Sequence, residues 1–249
     1  MENMTRFEIA FLVITFLFMV GSIYGWVIEL LFRRFISKKN PLRKWINPGF
    51  LVGPCLPLYG FGLVFLFIIS FLPYVGLEQN AENRVVQVIT TILTMGVVMT
   101  VIEYIAGLIF IKGMKIKLWD YSDEPLNLQG IICIRFSIIW TVLAAVYYFF
   151  IQQYVIRLVQ WFDANIAFTF VVGMFYGMLV IDLCYSFNVV GKVRRFAVDN
   201  EIVIKYESLK QEIRLETDAI RKRGRFLMAL KPESSLVETM KEKLEKIKM

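Results

Sequence analysis

The chain has 249 residues, 57% of them hydrophobic and 15% aromatic, with a mean hydropathy of +0.60, far from a soluble average. It carries 28 Lys and Arg against 21 Asp and Glu, a formal charge of +7, and no histidine. That absence excludes His-based acid–base catalysis, Ser-His-Asp triads, His-ligated haem and the usual catalytic zinc sets.

Five apolar blocks in chain order are long enough to cross a hydrocarbon core of roughly 30 Å, which needs about 20 helical residues. They are Phe7–Phe32, Phe50–Leu72, Val85–Ile111, Ile131–Ile151 and Ala164–Val190. The predicted fold is an all-α integral membrane protein. Residues 1–190 form a bundle of five transmembrane helices, and residues 191–249 form a cytoplasmic helical tail. The first block is not a cleavable signal peptide, because its apolar run is too long and Glu2 and Glu8 replace a basic start. Cys55, Cys133 and Cys184 each fall in a different block, which suits single thiols in apolar sites; neither a metal site nor a cofactor is expected in this chain.

The second span begins irregularly. Trp45–Gly62 holds Pro48, Pro54 and Pro57 with Gly49, Gly53, Gly60 and Gly62, which cannot all lie in an unbroken α-helix. Lipid tolerates irregular backbone only where protein or a water-filled cavity covers it, so a broken or re-entrant segment is expected at the start of span 2. Such segments line binding sites and pathways.

Basic residues set the orientation. Arg33, Arg34, Lys38, Lys39, Arg43 and Lys44 follow span 1, Lys112, Lys115 and Lys117 follow span 3, and Lys192, Arg194 and Arg195 open the tail. The connections Pro73–Arg84 and Gln152–Asp163 hold one arginine each, Arg84 and Arg157. The positive-inside rule puts the first set in the cytoplasm, the N-terminus outside and the C-terminus inside a plasma membrane. The positive charge is then explained by topology and anionic lipid, not nucleic acid.

In the tail, Ile202, Tyr206, Leu209, Ile213 and Ile220 make an amphipathic seam. Ser235 with Glu238 suggests a capping box for a last helix bearing Leu236, Met240, Leu244 and Ile247. The tail either folds back on the membrane face or serves docking and self-association. Gly21-x-x-x-Gly25 and Gly173-x-x-x-Gly177 permit close helix contact, expected inside the bundle before any dimer.

Ionisable residues inside spans are expensive and mark polar cores. Glu103 lies on the order of 13 Å above the cytoplasmic end of span 3, so it pairs with another span or holds a proton. Arg135, just inside span 4, either partners Glu103 or snorkels to the lipid headgroups. Glu29 has Arg33 four residues on, an i,i+4 pair, and Asp182 sits ten residues before Lys192. These four, with Asn47, Pro54, Pro57 and Tyr59 of the Pro/Gly segment, are the candidate pathway or polar-core residues. The loop Leu118–Gly130 supplies interfacial and turn chemistry through Trp119, Asp120, Tyr121, Ser122 and Asn127. It is a candidate cytoplasmic docking surface, or a lid beneath the bundle.

Gly25-Trp26-x-x-Glu29, Asn47-x-Gly49-Phe50-Leu51-x-Gly53-Pro54-x-x-Pro57-x-Tyr59-Gly60, Glu103-Tyr104, and Trp119-Asp120-Tyr121-Ser122 with Asn127-x-x-Gly130 occur in this order. Over roughly residues 20–150 they resemble the bacterial membrane family labelled ABC-transporter type IV, or CmpB-like permease. The resemblance implies an integral membrane subunit working with a separate ATPase, and it implies no catalytic residues. The chain lacks a Gly-x-x-x-x-Gly-Lys-Ser/Thr loop, so any ATP hydrolysis needs another subunit. Five spans are few for a complete pathway, which points to a homo- or hetero-oligomer.

Three functions fit. The first is a permease-like transporter subunit. The second is a membrane scaffold or sensor recruiting cytoplasmic partners through its tail. The third is a membrane-embedded enzyme acting on a lipid or envelope precursor through Glu29, Glu103, Asp120 or Asp182. The last is disfavoured by the lack of histidine and of a nucleophile motif.

Overall fold

Thr5 opens the first helix with a capping box: its backbone N–H donates to Glu8 Oε2 at 2.7 Å, and its hydroxyl accepts from the Glu8 N–H. The computed structural model describes residues 5–37, 40–71, 84–113, 115–199 and 204–205. Helix α1 (Arg6–Phe35) is followed by an irregular stretch and a shorter α2 (Pro57–Ser70), with Pro57 in the first turn where its missing N–H is harmless. Helix α3 (Arg84–Leu108) ends in a π-helical turn, Ile109–Gly113. A loop with three two-residue strands follows: β1 (Ile116–Lys117), β2 (Asn127–Leu128) and β3 (Ile132–Cys133). Helix α4 (Ile134–Val146) continues through a π-turn, Tyr147–Ile151, into α5 (Gln152–Ala164); Ile166–Phe168 is a 3₁₀ turn, α6 spans Thr169–Asp199, and β4 is Ile204–Lys205.

Four helical stretches are long and apolar enough to cross a membrane: Arg6–Phe35, Arg84–Gly113, Ile134–Ala164 and Ile166–Phe187. At 14 residues α2 reaches only about 21 Å at 1.5 Å per residue, short of a hydrocarbon core.

Three expectations need correction. The expected connection Gln152–Asp163 is helical, so Ile134–Ala164 is one 31-residue rod and the chain turns only at Asn165. No Pro or Gly lies between Ile131 and Asn165 to stop the helix. Gln152 turns into the bundle while Gln153 and Arg157 ride on its exposed side. The fold is also not purely α: β1 pairs in parallel with β4, and β2 pairs antiparallel with β3. Helix α6 runs past the expected end at Val190 to Asp199, and the backbone at Ile204–Lys205 is extended where the tail seam predicted helix. The rest of that seam, the Ser235–Glu238 cap and the Pro73–Asn83 connection lie outside the described residues.

The core is built on small residues. A Cβ at Gly21 would press on Leu63 and the Tyr59 carbonyl, and one at Gly25 would overlap the Tyr59 ring. Gly60 faces α1 in the same way, against Ser22 and Phe18. Helices α1 and α2 therefore pack antiparallel at close range, as the first small-residue motif predicted. Gly173 and Gly177 behave differently, with nothing described within 4 Å of either Cβ position, so they do not pack inside the bundle. Phe16 stacks on Phe162 with ring centroids 4.2 Å apart, and the Tyr176 hydroxyl donates to the Thr15 carbonyl, tying α5 and α6 to α1.

These contacts fix relative sidedness. The end of α1, the segment before α2, the end of α3, the start of α4 and the end of α6 all meet at one pole of the bundle. Arg33, Arg34, Lys112 and Lys117 lie there, and we refer to it as the basic end.

Candidate functional site

Glu103, on α3, is only 4% exposed. Its two oxygens accept one bond each: Oε1 from the Tyr121 hydroxyl at 3.1 Å, Oε2 from Trp140 Nε1 at 2.8 Å. No described Lys or Arg pairs with it. The expected Glu103–Arg135 pair is not formed. Arg135 lies in the first turn of α4 and is turned outward, with 66% of its side chain exposed, and it pairs with Glu124 at 3.0 Å. A buried carboxylate has thus been satisfied by neutral N–H and O–H donors.

A second carboxylate sits beside it. Glu29 Oε1 accepts from Arg33 Nε at 2.8 Å, the i,i+4 pair, and Oε2 accepts from the Tyr59 hydroxyl at 3.1 Å. The Tyr59 ring stands edge-on to Trp140, with centroids 6.3 Å apart. Arg33, Glu29, Tyr59, Trp140, Glu103 and Tyr121 therefore form one continuous run of contacts from the surface of the basic end into the bundle. It joins α1, α2, α4, α3 and the loop.

That loop is seated with care. The Tyr121 ring stacks on Phe136 at 4.3 Å, and its backbone N–H donates to the Gly130 carbonyl. Trp119 Nε1 donates to the Ile131 carbonyl at 2.8 Å. Ile131, 1% exposed, presses into the space left by Gly107, one turn below Glu103, where any Cβ would overlap it. Asp120 holds the Ser122 hydroxyl at 2.6 Å and Lys117 Nζ at 3.2 Å, and the Asn127 amide donates to the Ser122 and Glu124 carbonyls. Positive φ at Leu126, Gln129 and Gly130 closes the hairpin. In this loop, burial first and the neighbouring Glu103 carboxylate second push the Tyr121 hydroxyl well above the usual tyrosine range.

The Pro/Gly segment is braced from two sides. The Asn47 amide donates to the carbonyls of Leu51 and Val52, both at 2.8 Å, and its oxygen accepts from Trp26 Nε1 of α1. From the far end of the sequence, Asp182 on α6 accepts from the Val52 N–H at 3.0 Å, the Gly53 N–H at 2.8 Å and the Ser186 hydroxyl at 3.0 Å. A carboxylate on two successive backbone N–H groups is a strong charge-assisted arrangement. Gly49 adopts φ +74° and Pro48 is fully buried. Pro54 is exposed, whereas Pro57 starts α2 and so sets the angle from which Tyr59 reaches Glu29.

Glu29, Tyr59, Glu103 and Tyr121 are thus brought together, with Trp119 and Asp120 supporting them. Asn47 and Asp182 hold the adjoining segment, and Arg135 stands apart. Trp140, Gly107 and Phe136 are the residues that sequence reasoning missed. An indole N–H inside an apolar run needs an acceptor, and that need was the available signal for Trp140. Among the described residues no cluster of three or more Cys, Asp or Glu could hold a metal ion.

A bundle of long apolar helices enclosing a carboxylate–aromatic network at one pole defines a multi-pass membrane protein with a polar core. The family described as "Putative ABC-transporter type IV" matches residues 16–187, and the chain belongs to it. No curated protein and no solved structure matches the chain.

Proposed function

We propose that the chain is a permease-like membrane subunit of a transporter, driven by a separate ATPase subunit. The observation that carries this reading is Glu103: a carboxylate deep in an apolar bundle, held by neutral donors from two different elements. Intramembrane carboxylates of this kind mark substrate or ion pathways. The family membership supports the transporter class. The basic end faces the cytoplasm in this reading, with the N-terminus outside and the tail inside, because Arg33, Arg34, Lys112 and Lys117 cluster there. The short α2, extended by the irregular residues before it, makes the fifth crossing as a broken span. The tip of the Trp119–Gly130 loop, where Leu126 is 79% exposed, is the surface offered to a cytoplasmic subunit.

The test is affinity purification of the full chain from native membranes in mild detergent, with identification of bound proteins. A stoichiometric ATPase is the expected companion. Its consistent absence from preparations that retain other membrane partners overturns the reading and favours a scaffold acting through the tail.

A further inference from the structure

The parallel pairing of β1 with β4 joins two segments far apart in the chain. Ile116 and Lys117, just after α3, lie in register with Ile204 and Lys205, just after α6. Strand addition of this kind couples the motion of one segment to another through backbone hydrogen bonds.

What β1 is attached to gives the pairing its meaning. Ile116 is fully buried, and Lys115 before it turns the chain with a positive φ. The Lys117 ammonium reaches Asp120 Oδ1 and the Ser122 hydroxyl, so β1 is tied to the turn that carries Tyr121. Tyr121 then reaches Glu103. Three contacts and one peptide link therefore lead from Ile204–Lys205 of the tail to the buried carboxylate: β4 to β1, Lys117 to Asp120, Asp120 along the chain to Tyr121, and Tyr121 to Glu103. Helix α6 also acts on the other side of the site, because Asp182 holds Val52 and Gly53. Of the two donors on Glu103, Trp140 stands on a helix, and Tyr121 alone stands on a loop that can lift without unwinding a span.

We propose that the start of the tail is a latch: by pairing with β1, Ile204–Lys205 keep the Trp119–Gly130 loop closed over Glu103, so that a partner or force acting on the tail controls access to it. The latch rests on the reading of Glu103 as a functional carboxylate. Its test reads loop position instead of transport, so the two can fail separately.

Cys133 is the reporter. It is 2% exposed and belongs to β3, where it pairs in register with Asn127 of the same loop. Cys55, 5% exposed within the Pro/Gly segment, is the internal control. In the full chain, in detergent or lipid discs, thiol labelling is followed at each cysteine by mass spectrometry. The double variant Ile204→Pro with Lys205→Pro removes both strand N–H donors. Cys133 labelling is expected to rise roughly tenfold, the scale of losing a short backbone ladder, with Cys55 unchanged. A second variant, Ile116→Cys with Ile204→Cys, places two thiols in register. Oxidising it is expected to slow Cys133 labelling below that of its reduced form. An unchanged Cys133 rate in the proline variant, or equal rates in the oxidised and reduced forms, overturns the latch. An equal rise at Cys133 and Cys55 also overturns it, because the pairing would then merely hold the bundle together.

Discussion

The Tyr121 hydroxyl donates to the Glu103 carboxylate across 3.1 Å, from a loop to a helix 18 residues earlier in the chain. The contact closes the basic end of the bundle over the most deeply buried charge-bearing group among the described residues. Tyr121→Phe and Trp140→Phe each leave one carboxylate oxygen without its donor, and each is expected to cost about 1–3 kcal/mol. Paired with Glu103→Gln in a double-mutant cycle, each change should show strong coupling, measured as thermal unfolding in detergent. Additive effects would show that the contact contributes nothing.

Stability should also fall in alkaline solution. The hydroxyl of Tyr121 is raised above the ordinary tyrosine value of 10 by burial and by Glu103. Its contribution is therefore complete below pH 10 and is lost as pH rises above that value, where the unfolded chain ionises and the folded loop resists. Unfolding temperatures between pH 8 and pH 11 should drop more steeply for the wild type than for Tyr121→Phe.

Gly107 lets the loop seat on α3, because any Cβ there overlaps Ile131. Gly107→Ala is expected to destabilise by about 1–3 kcal/mol through overpacking and to raise Cys133 labelling. Adding Ile131→Ala opens the space and should recover part of the closed state, seen as slower Cys133 labelling than in Gly107→Ala alone.

Asp182 accepts from two successive backbone N–H groups. Asp182→Asn keeps the shape but turns an amide NH₂ toward one of those donors, at a cost of about 1–3 kcal/mol. The segment beneath it should loosen, so Cys55 labelling is expected to rise while Cys133 changes less. The same measurement separates the two braces of the site.

Arg135→Ala should matter little. Its pair with Glu124 is solvent-exposed and is expected to contribute under about 1 kcal/mol. Thermal unfolding should barely move, in contrast with Tyr121→Phe.

Much of this arrangement was legible in the chain. Helix length and hydropathy located the apolar segments, and the Pro/Gly run announced the irregular segment that Asn47 and Asp182 now hold. Glu103 stood out because carboxylates are rare in spans. Its partners were not legible, because charge complementarity offered only Arg135, whereas a buried carboxylate can be satisfied by an indole and a phenol that carry no charge. The polar residues Gln152, Gln153 and Arg157 looked like a loop, yet without Pro or Gly they simply ride on a helix. The β1–β4 pairing had no local signal, since a two-residue parallel ladder between segments so distant in sequence leaves no periodicity to read.

The central claim is that Glu103 works in a transport cycle powered by another subunit. The most direct measurement is ATP hydrolysis by the purified complex in liposomes, wild type against Glu103→Gln, with co-purification confirming that both assemble equally. The account predicts an intact complex whose ATP turnover is changed severalfold by Glu103→Gln and not by Arg135→Ala. Equal turnover in all three, with the complex intact, would contradict it.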